Sequence, residues 1–161
     1  MADRLILVDG YNAIRRTEGL RAAEARGGLE AGRQALLGWL ANRYRATPHA
    51  IVVVFDGAEA EEREERRARW SRCRIVFTRA GTSADEAIAR IAAEERVRGA
   101  EVMMFSDDDA LRAAVAEAGA TPQSIQALAG QVNAPDKYRR KQAIHRKYVR
   151  DHYGIGHERD R

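Results

Sequence analysis

The stretch Leu5-Ile6-Leu7-Val8-Asp9-Gly10-Tyr11-Asn12 decides the fold. Four apolar residues run straight into an aspartate and a glycine. This is how a buried strand ends when it presents a carboxylate at the edge of a sheet. The arrangement recurs twice. Ile51-Val52-Val53-Val54-Phe55 leads into Asp56-Gly57, and Val102-Met103-Met104-Phe105-Ser106 leads into Asp107-Asp108-Asp109. In open α/β sheets the carboxyl ends of the strands form the ligand-binding edge. Carboxylates converging there point to a divalent cation and to chemistry on phosphate.

Outward from these strands, apolar runs alternate with helical patterns, the signature of an α/β fold with a mostly parallel sheet. A polar loop rich in Arg, Glu and Gly is expected up to about Gly28. A helix then follows from Leu29 to Tyr44, closed by Pro48. The interleaved Glu and Arg of Glu59 to Trp70 read as a solvated helix laced by i,i+4 pairs, or as a flap over the site. A short strand is expected at Arg74–Thr78, an amphipathic helix at Ala84–Val97 and a helix at Ala110–Ala118. Beyond Pro122 the pattern weakens. A short helix at Ser124–Gln131 and a basic helix at Lys137–Tyr153 are expected. One folded domain over 1–136 and a basic tail over 137–161 are expected.

The 161 residues suffice for one domain with a real core. No apolar run approaches the roughly 20 residues of a membrane helix. No signal peptide is read at the N-terminus. Cys73 is the single cysteine, read as a small packing residue, and no intramolecular disulfide is open to the chain. A cytoplasmic location is expected. The formal charge of +4 is uneven: residues 137–161 carry nine Lys/Arg against three Asp/Glu, and the remainder is slightly acidic. Such asymmetry suggests a polyanionic partner. In the tail, Lys137, Arg139, Arg140, Lys141, Arg146, Lys147 and Arg150 alternate with Tyr138, Tyr148 and Tyr153. Cations suit phosphates and tyrosines can stack on unpaired bases, so RNA contact is expected there. A terminal helix packed on the body is the plainer alternative. His145, His152 and His157 lack metal-ligand spacing.

The acids carry the chemistry. Asp9, Asp56 and Asp107 end strands. Asp85 lies in the first turn of the second amphipathic helix, in Gly81-Thr82-Ser83-Ala84-Asp85-Glu86. Each has a structural alternative: turn former before glycine, helix cap, or partner of the helix dipole, with Ser83 and Glu86 forming a capping box. Four acids arriving from four junctions would repel one another without a cation, and folds retain such clusters for function. Mg²⁺ needs few protein oxygens and keeps several waters. Asn12 could orient a water or the phosphate, and Ser106 could hydrogen-bond a carboxylate.

The ordered set Leu7-Val8-Asp9-Gly10-Tyr11-Asn12, Val54-Phe55-Asp56-Gly57, Thr82-Ser83-Ala84-Asp85 and Phe105-Ser106-Asp107 resembles the YacP-like branch of the NYN domains, within the PIN-like nuclease superfamily. The likeness spans roughly residues 4 to 133. It implies a PIN-like three-layer α/β/α fold, with a central, mostly parallel sheet of about four to five strands. It also implies an endoribonuclease dependent on Mg²⁺ or Mn²⁺, resembling a member that cleaves messenger RNA on the ribosome. Catalytic positions carried over are Asp9, Asn12, Asp56, Asp85 and Asp107. Metal positions are Asp9, Asp56, Asp85 and Asp107, with Asp108 as a further candidate, since Asp107, Asp108 and Asp109 follow one another. A non-catalytic RNA-binding or ribosome-associated adaptor is the alternative. A phosphatase or phospho-acceptor domain is disfavoured: a haloacid-dehalogenase-type phosphatase would want Asp-x-Asp where position 11 is Tyr, a receiver domain would want a Lys after a late strand, and the missing P-loop motif argues against a P-loop NTPase.

Overall fold

The computed structural model describes residues 4–128. The strands are β1 (Arg4–Asp9), β2 (Ala50–Phe55), β3 (Arg63–Arg67), β4 (Trp70–Phe77), β5 (Glu101–Phe105) and β6 (Thr121–Gln123). The helices are α1 (Gly10–Arg16), α2 (Glu18–Tyr44), α3 (Ala84–Val97) and α4 (Asp109–Glu117). They build one six-stranded sheet in the order β3-β4-β2-β1-β5-β6. Every pairing is parallel except that of β3 with β4.

The uniformly apolar β1 and β2 are central because both their faces are covered. Alternate side chains divide between two cores. Ile6, Val8, Ile51, Val53 and Phe55 meet Leu36, Leu37 and Leu40 of α2 on one face. Leu5, Leu7, Val52 and Val54 meet Ile88 and Ile91 of α3 and Val115 of α4 on the other. The chain fills one side of β1, then crosses by α3 to β5 on its other side. This reversal of strand order beside β1 makes the crevice in which α/β sheets hold ligands.

Four expectations need correction. The sheet has six strands rather than four to five. Glu59–Trp70 is not a helix: its alternating charges form the antiparallel edge strand β3, and charged side chains suit an exposed edge better than a buried one. β4 begins at Trp70, well before Arg74, because Trp70 and Cys73 enter the core. The polar stretch before Gly28 is helical, not a loop. Gly28, at φ 87° and ψ −177°, breaks α2 into two segments in a conformation open only to glycine. β6 was not anticipated, and only residues 125–128 of the expected short helix after it are helical among the described residues.

Candidate active site

Strand parity places the acids. Asp9 continues the Leu5–Leu7 side of β1, and Asp56 the Val52–Val54 side of β2. Both fall on the face covered by α3, whose N-terminus meets the same edge of the sheet. The two glycines that follow are required by space, not by turn geometry. A Cβ on Gly10 would lie 2.2 Å from the Phe55 ring, and one on Gly57 would lie 1.9 Å from the Thr78 carbonyl oxygen. The Asp-Gly pairs thus let β1 and β2 close tightly on their neighbours while the acids face the cleft.

Asp9 is the innermost, only 8% exposed. Its Oδ2 accepts a hydrogen bond from Ser106 Oγ at 2.9 Å. Burial raises its pKa from 3.8 to about 6. Ser106 opposes this rise, Asp85 and Asp56 add to it, and the approaching Asn12 backbone N–H lowers it slightly. Asp85 is also raised, first by burial and then by Asp108 and Asp56. Asp56 Oδ1 accepts from the Ala84 backbone N–H at 2.7 Å, which ties it to the positive end of α3. Ser83 caps α3 by accepting from Glu86 N–H.

The acidic triplet after β5 divides its labour. Asp107 Oδ1 accepts from Ile125 N–H at 3.0 Å, and its own N–H donates to Asn12 Oδ1 at 2.9 Å. It faces the side of the sheet where Ile125 and Leu128 pack. Asp108 caps α4 through Leu111 N–H at 2.8 Å and is the member whose charge acts on Asp85. Asp109 is exposed in the first turn of α4. The structure therefore links four acids electrostatically: Asp85 and Asp56 act on Asp9, and Asp108 and Asp56 act on Asp85. Asp107 and Asn12 serve as a clasp beside them.

Among the described residues, no three His, Cys, Asp or Glu side chains stand close enough to enclose a metal ion. The donor set is nonetheless oxygen-only, as a hard divalent cation prefers, and a cation that keeps most of its waters needs few direct ligands. The mutual repulsion at Asp9 and Asp85 is what such a charge would relieve. The donors thus fit Mg²⁺ or Mn²⁺ in chemistry, with Asp9, Asp56, Asp85 and Asp108 as the groups that would hold it. Among the described residues no helix is long and apolar enough to cross a membrane. The seven tail cations from Lys137 to Arg150 lie outside the described residues.

Sequence reasoning passed over the aromatic and cationic flank of the cleft. Tyr11 packs on Phe55, with ring centroids 4.9 Å apart, and Phe55 stacks on Phe77 at 5.5 Å. Arg33, from the second segment of α2, donates to the Tyr11 hydroxyl at 2.8 Å. The Tyr11 next to Asp-Gly was the available signal. Arg33 and Phe77 gave none, because they arrive from distant elements.

The model of the YacP-like NYN domain matches residues 6–155, which includes much of the basic stretch. Two crystal structures of Rae1 (YacP) from Bacillus subtilis are similar. One, at 26% identity, covers 91% of this chain and 82% of that chain with a TM-score of 0.66. The other, a point mutant at 25% identity, covers 95% of this chain and 85% of that one with a TM-score of 0.65. No curated protein matches.

Proposed function

Because the chain belongs to the YacP-like NYN domain family, we propose that it is a metal-dependent endoribonuclease acting on RNA, with ribosome-associated messenger RNA in the cytoplasm as its setting. The carrying observation is Asp9: a carboxyl buried at the sheet edge, with two further acids adding to the cost of ionising it. Such an arrangement destabilises the chain by itself and is accounted for by a cationic ligand. Nuclease membership supplies RNA as the expected partner.

A bound Mg²⁺ or Mn²⁺ supplies an activated water and charge relief on the phosphate. The chain's own residues do the rest. Ser106 holds Asp9 by Oδ2 and leaves Oδ1 without a side-chain donor among the described residues. The N-terminus of α3 orients Asp56. Asn12 fixes the Asp107 backbone through Oδ1, so its amide Nδ2 is the group able to donate to a phosphate oxygen or a water.

The test is cleavage of RNA, free and ribosome-bound, with Mg²⁺ or Mn²⁺, with chelator and Asp9→Asn as controls. Cleavage abolished by both supports the reading, and cleavage surviving both overturns it. Binding without turnover in any metal would instead support the adaptor.

A further inference from the structure

Beside the acids lies a cavity of about 280 Å³ that the proposed hydrolysis does not use. Tyr11, Arg33, Arg63 and Phe77 form one part of its wall, and Asp56, Glu59 and Glu61 another. Phe77 is the centre of the first part. The Arg63 guanidinium lies 4.2 Å from its ring centroid, and that of Arg33 lies 5.7 Å away. Arg33 is held in place: its Nη1 donates to Tyr11, and its Nε and Nη2 donate to Glu30 at 3.1 and 2.6 Å. Flat, prearranged surfaces of this kind are what unpaired bases stack on.

The charge of the lining decides between base and phosphate. The arginine charges are already answered, Arg33 by Glu30 and Arg63 by Glu59 and Glu65. Three carboxylates face the same space as two guanidinium groups. A phosphate would be repelled there, whereas a neutral ring would be accepted and its amino or imino groups would find acceptors. The volume is at the small end for ligand pockets, which suits one ring better than a whole nucleotide. Asp56 lines this cavity and also acts on Asp9 and Asp85, so an occupant sits next to the reacting phosphate.

We propose that this cavity is a subsite for one unpaired RNA base flanking the scissile phosphate, stacked against the surface made by Phe77, Arg33 and Arg63. The assignment rests on the nuclease reading for its substrate, but its test does not depend on turnover. Binding of a single-stranded RNA oligonucleotide to full-length Asp9→Asn protein is measured by anisotropy, with an abasic ribose moved along the strand. One position should weaken binding about tenfold, the size of one base–aromatic stack. Ala58→Trp, at an exposed residue of the cavity wall, and Arg63→Ala, on the exposed edge strand, should each erase that position's penalty. Absence of any position-specific penalty, its survival in both variants, or no binding at all overturns the subsite. The penalty present while wild-type protein fails to cleave in any metal sinks the nuclease reading and leaves the subsite standing.

Discussion

At the scale of single residues, Asp9 pits function against stability. Moving a carboxyl from 3.8 to about 6 corresponds to roughly 3 kcal/mol in favour of its neutral form. Between these values the folded chain binds a proton that the unfolded chain lacks, so this group's contribution falls as pH rises and levels off above about 6. Asp85, also raised, acts in the same direction, and His49, lowered mainly by burial, acts oppositely near its own range, so absolute melting curves mix these groups. The difference between Asp9→Asn and wild type isolates Asp9. In chelator, the variant's Tm advantage should grow from pH 4 to pH 7; with Mg²⁺ or Mn²⁺ supplied, its cleavage should fall at least about 100-fold, beyond the loss typical of outer-shell partners. Differential scanning fluorimetry across pH, with an RNA assay, checks both. Ser106→Ala makes a separate forecast. It removes the hydrogen bond that favours ionised Asp9, so the Asp9 pKa should climb above 6 and the acid limb of the pH–rate profile should move to higher pH. Activity at neutral pH should drop about 10–100-fold. A purely structural Ser106 would lower activity without moving the profile.

At the scale of elements, the triplet after β5 shows what the sequence could and could not say. Three consecutive aspartates at a strand-to-helix junction announce a cap and a ligand without telling which is which. The division follows from β6 and the helical residues 125–128, whose Ile125 N–H claims Asp107. Nothing local near Pro122 foretold that pairing. Asp108→Asn keeps a good N-cap, so stability should change by less than about 0.5 kcal/mol while metal-dependent cleavage collapses. Asp107→Asn weakens a charge-assisted bond to Ile125, so it should cost about 1 kcal/mol with the smaller loss of activity. Denaturant titration and kinetics on the pair decide, and the reverse ranking would put Asp107 in the cleft. β3 was illegible for a related reason. Its Glu-Arg alternation satisfies i,i+4 helical pairing as well as an edge strand, and only the partner β4, with Arg74 reaching Glu64 at 3.1 Å, selects the strand. By contrast, β1, β2 and α3 were legible because their apolar periodicity is set by the face they bury: Ala84, Ala87, Ile88, Ile91 and Ala92, the buried residues of α3, recur at helical spacing.

At the scale of the whole molecule, charge is separated along the chain: the acids gather at one sheet edge, and residues 137–161 carry a net +6 against a slightly acidic remainder. An acidic cleft on its own repels the polyanion it is proposed to cut. A cation in the cleft offsets part of that repulsion locally, but attraction at a distance needs positive charge elsewhere, and the tail holds it in Lys137, Arg139, Arg140, Lys141, Arg146, Lys147 and Arg150. If those seven side chains contact phosphates, each contact releases condensed counterions, and the slope of log affinity against log salt approaches about −0.7 per contact on single-stranded RNA. Full-length protein should therefore lose RNA affinity steeply between 50 and 200 mM salt, about 100- to 1,000-fold for five to seven contacts. A chain ending at residue 136 should bind weakly with a shallow slope. The acids remain in that shorter chain, so its kcat on a short RNA at saturating concentration should stay within a few-fold of the full-length value, while KM rises. Fluorescence anisotropy over a salt series, paired with saturation kinetics, separates capture from chemistry. A truncated chain whose salt slope matches the full-length protein would place the phosphate contacts on the body instead.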